Sequence, residues 1–269
     1  MMNRFTLLRP LWLILFAWTT LFAEPSEDDH RILYANLAGI GIIAAWGTAF
    51  WDYGDNPPHA QSEGWFERDT KSGGADKLGH FYSAYLVGTG LSSLYESWGY
   101  SRDDAARYGS LSSFFLMNTM ELGDAFSEKL GFSYEDFILN TVGSAASYLF
   151  YTYPDLSAKV DFRIEYVPRF DTADIVTDYE RMKYLIVLKA DGFEVITDPW
   201  LKYTEFQIGY YTRHYDSGYS EQSERMLYAG IGINLSQIVS QSGYPKTARI
   251  FNYYQLPYTY VPFEHNLNR

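Results

Sequence analysis

The chain has 269 residues, with 21 Lys and Arg against 33 Asp and Glu, a formal net charge of −12 and no cysteine. The acidic balance argues against nucleic acid, which wants basic patches, and against simple electrostatic adhesion to anionic lipid. The missing cysteine excludes disulfides, thiolate metal sites, a cysteine nucleophile and lipidation on cysteine.

Residues 1–23 carry the pattern of a secretory signal. Arg4 and Arg9 give a positive start, Leu11 to Phe22 an apolar core, and Leu21-Phe22-Ala23 a cleavage site before Glu24. The mature chain is expected to begin at Glu24, which mass spectrometry of the purified protein tests. The alternative is an uncleaved anchor, for which the apolar run is short. Residues 24–31 form an acidic lead-in.

Ile32 to Trp51 is uncharged and long enough to cross a bilayer. Its small residues Ala35, Ala38 and Gly39 permit close approach of another helix. The alternative is a fully buried central helix of a soluble bundle. Asp52 to Gly74 is a loop broken by Asn56-Pro57-Pro58 and Gly73-Gly74, with Trp65, Phe66 and Asp69 expected to fold over the charged segment that begins at Asp76. Three helices come next. They run from about Lys77 to Trp98, from an N-cap at Ser101 to about Ala125, and from an N-cap at Ser133 to about Tyr151, where Pro154 closes the last.

After Lys159 the helical period gives way to alternation. Leu227, Ala229, Ile231, Ile233 and Leu235 fall on one strand face, and Tyr228, Gly230, Gly232, Asn234 and Ser236 on the other. Four more runs read as extended: 160–167, 182–190, 201–214 and 248–256. Five strands are too few for a porin-like barrel, which needs about eight. Aromatic residues are 19% of the chain, with 25 tyrosines. Their apolar bodies and polar tips suit membrane interfaces and the faces of envelope sheets. The expected fold is α+β: a membrane-associated four-helix bundle over 32–153, then an antiparallel β-meander of about five strands over 160–262.

The candidate site begins in Gly73-Gly74-Ala75-Asp76-Lys77-Leu78-Gly79-His80-Phe81. Asp76 and His80 are i and i+4 and share a helix face, with Lys77 close to it. Charges at the mouth of an apolar helix need partners. Glu121 with Asp124, and Asp136 with Asn140, can supply them. In an up-down bundle with short connections, these segments lie at the same end. Three readings stay open. One is catalytic, with His80 as acid/base, a carboxylate orienting it, and Lys77 binding an anion. One is a metal site, with the least support because only one histidine is present. The third is structural, the bases neutralising buried acids and setting helix register. A separate candidate is Tyr210-Tyr211-Thr212-Arg213-His214-Tyr215, where Arg213 and His214 could contact a lipid headgroup or glycan. Ordinary sheet surface or a membrane-interface belt explains it as well. His30, His59 and His265 have no recognisable partners in sequence. No GxSxG, P-loop or HExxH motif occurs, and no cofactor or metal is implied.

Four blocks carry a resemblance: Asp76-Lys77-x-x-His80-Phe81, Gly99-Tyr100-Ser101-Arg102-Asp103, Glu121-x-x-Asp124, and Phe132-Ser133-x-x-Asp136-x-x-x-Asn140-x-x-Gly143. Residues 73–153 resemble the YfiM-like family of predicted periplasmic envelope proteins of unknown function. They are more distantly similar to VanZ-like membrane proteins, which are associated with glycopeptide resistance. The YfiM-like lipoproteins have a lipidated cysteine and lack the strand region, so 160–269 inherits nothing from them. The resemblance implies an envelope location and a four-helix core, and no reaction. The function expected is a membrane-associated envelope protein, secreted across the inner membrane and exposed to the periplasm, with membrane lipid as partner and protein partners unknown. The alternative is an enzyme acting on a lipid or cell-wall intermediate.

Overall fold

The computed structural model describes residues 30–168, 174–216 and 218–269. The signal pattern of 1–23, the cleavage before Glu24 and most of the acidic lead-in lie outside these residues. The chain divides into a helical unit, up to residue 63 together with 83–152, and a strand unit, 64–82 together with 153–269.

The helical unit holds α1 (Arg31–Phe50), most of α2 (Ala75–Ser97), α3 (Arg102–Asp124) and α4 (Tyr134–Thr152). The caps read from the sequence are present. Ser101 Oγ accepts the Asp104 N–H at 3.1 Å, and Ser133 Oγ accepts the Asp136 N–H at 3.2 Å. Pro154 takes the first position of the short α5 (Pro154–Lys159), where its missing N–H costs nothing. Close packing of α2, α3 and α4 depends on small residues. A Cβ at Gly88 would collide with Ser147, and one at Gly109 with Ser92. Ser113 on α3 donates to the Ala84 carbonyl on α2 at 2.6 Å. Apolar cores form around Ile32, Tyr95, Ala105 and Tyr108, and around Phe115 and Leu116.

α1 is not a fully buried central helix. Only Ile32, Asn36 and Gly47 are buried, while Ile42 is 68% exposed. Asn36 is held to α3 by a 2.9 Å bond to Ser112 Oγ. The helix is long and apolar enough to cross a membrane, and 17% of its most apolar window is buried by the protein.

The strand unit is a five-strand antiparallel sheet in sequential order: β1 (Val160–Tyr166), β2 (Met182–Lys189), β3 (Thr204–Arg213), β4 (Glu224–Ile233) and β5 (Tyr260–Asn266). The meander and the first four strands match expectation. The fifth does not. Residues 248–256, read as extended, instead close the helix α7 (Pro245–Ala248), which follows α6 (Leu235–Gln241), and continue as a 3-10 turn over Arg249–Asn252. The true fifth strand contains Pro262, opposite Gly230. Proline lacks a ladder donor but is tolerated on an edge strand, and β5 is one.

Alternation gave this sheet two faces, and the buried one holds an apolar cluster of Leu185, Val187, Tyr211 and Tyr228 beside an ion network. Arg163, 2% exposed, bonds Asp161 at 2.7 Å, Glu205 at 2.9 Å and Gln255 at 2.9 Å. Lys189 pairs with Asp161 at 2.8 Å. Tyr260 on β5 donates to Glu165 on β1 at 2.7 Å, so the first and last strands meet through side chains across the concave face. The outer edge of β1 is met by 253–255, with Ile164 N–H donating to the Tyr253 carbonyl at 2.9 Å.

Candidate functional site

In the strand unit, Gly73 and Gly74 both adopt left-handed backbone, with φ of 60° and 86°, a conformation that favours glycine. Gly74 has a second requirement, because a Cβ there would strike Phe66 and the Trp65 carbonyl. Tyr210 OH donates to the Gly73 carbonyl, and Phe66 packs edge-on against Tyr210 at 5.7 Å. Phe66 and the Trp65 backbone thus lie against the turn that precedes the charged segment. The turn feeds α2, whose first residues include Asp76 and Lys77. These two form a buried ion pair at 2.7 Å, with Lys77 fully buried. His80, one turn on, is half-buried. Gly79 makes room for the rings of Tyr179 and Tyr184. Burial and then the charge of Asp76 push the Tyr184 hydroxyl far above the ordinary tyrosine range.

The helical unit gathers the other acids where α3 ends and α4 begins. Glu121 is buried and accepts the Ser133 N–H. Burial, Asp124 and Asp136 raise its pKa well above the ordinary carboxylate value, Glu63 adds to this, and the Ser133 bond opposes it. Asp124 accepts from Tyr53 OH at 2.7 Å. Tyr53 is wedged beside Gly47 of α1 and Gly123 of α3, where a Cβ on either would overlap its ring. Burial and the Asp124 charge push the Tyr53 hydroxyl far above its usual range. Glu135 accepts from Ser62 and, at 3.0 Å, from Ser133 Oγ. Asn140 donates to the Met117 carbonyl at 3.3 Å, tying α4 to α3.

Within the helical unit, Glu121, Asp124 and Asp136 are therefore near enough for their charges to act on one another, and Asn140 sits one turn beyond Asp136. Within the strand unit, Asp76 and Lys77 are paired. Sequence reasoning did not name Tyr53, Ser62 or Glu63 as site residues, and gave Glu135 only a capping role. Tyr53 and Ser62 sit in a loop whose sequence has no period to place them.

Arg213 and His214 end β3, far along the chain from these groups. Arg213 donates to the Thr212 carbonyl at 2.6 Å and stacks on Tyr211, its guanidinium 4.4 Å from the ring centre. Burial lowers its pKa. His214 has a φ of 63°, and its N–H bonds Glu180 at 2.8 Å. Both residues are engaged in the β3–β4 turn.

Residues 62–152 match a family described as predicted periplasmic lipoprotein (DUF2279). The match covers α2, α3 and α4 and stops before the strands. It is to that family as a whole and does not single out the narrower YfiM-like or VanZ-like likeness. No curated protein and no solved structure matches the chain. The family's description fits an envelope protein of the periplasm with an unknown role. The 269 residues contain no cysteine, so the thiol that carries a lipoprotein's lipid is absent from this chain.

Proposed function

We propose that this is a membrane-associated protein of the bacterial cell envelope, exposed to the periplasm, whose polar residues hold the helical bundle rather than transform a substrate. The observation that carries the reading is how the acids are used. Glu121 binds the Ser133 backbone, Asp124 binds Tyr53, and Glu135 binds Ser62 and Ser133. The bonds of Glu121 to Ser133, Asp124 to Tyr53 and Glu135 to Ser62 each tie a loop to a helix or one helix to the start of the next. A carboxylate committed to such a closure has little freedom to move a proton. In this reading Lys77 supplies the counter-charge for Asp76, its partner at 2.7 Å, because buried charge without it costs several kcal/mol. Association with the membrane rests on the exposed apolar surface of α1. Retention after a high-salt wash and release by detergent is the expected result, since apolar burial is not screened by salt. Recovery in the soluble fraction without detergent would count against it.

A second reading, an enzyme acting on a lipid or cell-wall intermediate with His80 as acid/base and Lys77 as anion-binding group, draws on one observation. His80 is half-buried, whereas Asp76, Lys77, Glu121, Asp124, Asp136 and Asn140 are all buried. Substitutions His80→Gln and Asp76→Asn, introduced into a deletion strain, separate the two. Loss of the protein from membranes supports the structural role. A folded, membrane-retained protein that fails to complement supports the chemical one.

A further inference from the structure

The buried network on the concave face of the sheet gives its two acids unequal shares. Asp161 takes both cations: Arg163 Nη2 lies 2.7 Å from one of its oxygens, and Lys189 Nζ 2.8 Å from the other. Glu205 stands opposite Lys189 in the β2–β3 register. Lys189 nevertheless donates to Asp161 and to the Ser157 carbonyl, each at 2.8 Å. What Glu205 receives falls on one oxygen. Its Oε1 accepts from Arg163 Nη1 at 2.9 Å and from Gln207 Nε2 at 2.7 Å, and Arg163 Nη1 is shared with Gln255. Glu205 Oε2 and Gln207 Oε1 are both buried, and neither has a hydrogen-bond donor among the described residues. Buried acceptors without donors are costly, and more so when one belongs to an ionised carboxylate.

We propose that Glu205 carries a proton in the folded chain and that its Oε2–H bonds Gln207 Oε1, closing an acid–amide pair that opens when the proton is lost. One proton satisfies both oxygens. The groups around the pair agree with a neutral Glu205. β1 presents Asp161 and Arg163, β2 presents Lys189, and the 3-10 turn after β2 carries Asp191, held by Asn234 at 2.8 Å. β4 offers only Gly232, and β5 offers Tyr260, whose hydroxyl is turned to Glu165. Glu165 has its own base, Lys183, at 3.3 Å. With Glu205 neutral, Arg163 and Lys189 balance Asp161 and Asp191. With Glu205 ionised, the acids outnumber the bases by one. Burial also raises the Glu205 carboxyl above its ordinary range, with Arg163 opposing. A proton fits better than a metal ion, because the pair is packed directly on β4. A Cβ at Gly232 would fall 2.7 Å from Gln207 Nε2 and 3.2 Å from Glu205, which leaves that side no room for an ion and its ligands. The folded chain then keeps a proton that the unfolded chain releases at the ordinary carboxylate pKa. The stabilisation is complete below that value and is lost as pH rises through the raised one. The strand unit thus loosens on the alkaline side, and this does not depend on the reading of the helical bundle.

The test uses the full chain in detergent, equilibrated in urea at a series of pH values and digested in a brief protease pulse that scores 160–266 apart from the helical segments. Protection of 160–266 is expected to fall as pH rises above the ordinary carboxylate range. In Glu205→Gln an amide N–H takes the place of the acid O–H. This variant should match the parent's protection at neutral pH to within about threefold, the spread of a neutral substitution, and should lose the fall with pH. The infrared difference spectrum, parent minus variant at neutral pH, should show the C=O stretch of a protonated carboxyl. Carboxylate bands in its place would overturn the proposal. So would a loss of protection of about a hundredfold or more in Glu205→Gln, the result for a broken buried ion pair. Protection that grows with sodium or potassium at constant ionic strength would also overturn it, by assigning the two oxygens to a cation.

Discussion

The two units bury polar groups in different ways. The helical unit buries mainly small hydroxyls, amides and carboxylates, one at a time, where helices touch: Asn36 on Ser112, Ser113 on Ala84, Asp124 on Tyr53. The strand unit buries full charges together, Arg163 and Lys189 around Asp161. A helix contact needs closeness, which small polar residues permit. A curled sheet with an apolar exterior has only its concave face left for charge, and charges there survive only in mutual contact. The helical unit should therefore be sensitive to volume, and the strand unit to charge.

The largest expected effect tests the second half of that contrast. Arg163→Met takes from Asp161 one of its two cations, and breaking a buried ion pair costs about 3–5 kcal/mol. Loss of resistance to proteolysis in 160–266, with the helical segments still protected, is the expected outcome. An unchanged digestion pattern would mean that the network contributes little.

Next comes Gly47→Ala in the helical unit. The added Cβ meets the Tyr53 ring, and overpacking of this kind costs about 1–3 kcal/mol. Combining it with Tyr53→Leu should recover part of the loss if volume is the cause, giving a non-additive cycle in urea unfolding. Strict additivity would show that the glycine matters for another reason.

A smaller effect is a dependence on pH. Glu121 is raised above the ordinary carboxylate value in the folded state, so the folded chain keeps a proton that the unfolded chain has released. Unfolding then releases that proton, and rising pH favours it. The group's contribution is present below the ordinary carboxylate pKa and is lost as pH rises from there through the raised value. Glu121→Gln, which keeps an acceptor for the Ser133 N–H, should flatten the fall in helical stability over that window. Parallel curves for both proteins would exclude Glu121 as its source.

The smallest change should come from Ile208→Thr on the convex face. Measured in detergent micelles, it is expected to shift stability by no more than about 0.5 kcal/mol, the usual range for surface positions. A cost of several kcal/mol would reveal a covered side chain rather than an open apolar exterior.

Much of the fold was legible from local signals. Ser101 and Ser133 cap helices where their sequence pattern places them, and Gly73-Gly74 breaks the chain before α2. These features are legible because the groups involved lie within four residues of each other. The site was legible in part: Asp76, Lys77, Glu121 and Asp124 were picked out as charges near apolar helices. Tyr53 and Ser62, which hold two of the acids, were not, because a loop residue's partner is set by where the loop crosses the helices.

The sequence by itself determined the limits of the four long helices, the meander and the two-residue alternation of β4 as far as Ile233. Only the tertiary structure decided that Tyr260–Asn266 is the fifth strand and that the aromatic run after Ala248 is not. The first contains a proline that only an edge position tolerates, and edge position is a property of the assembled sheet. The tertiary structure also decided which face of the alternation lies inside. A period of two separates the faces without ranking them. In this sheet the ranking came from polar groups on different strands, Arg163, Lys189 and Glu205, which meet only after the strands have curled together.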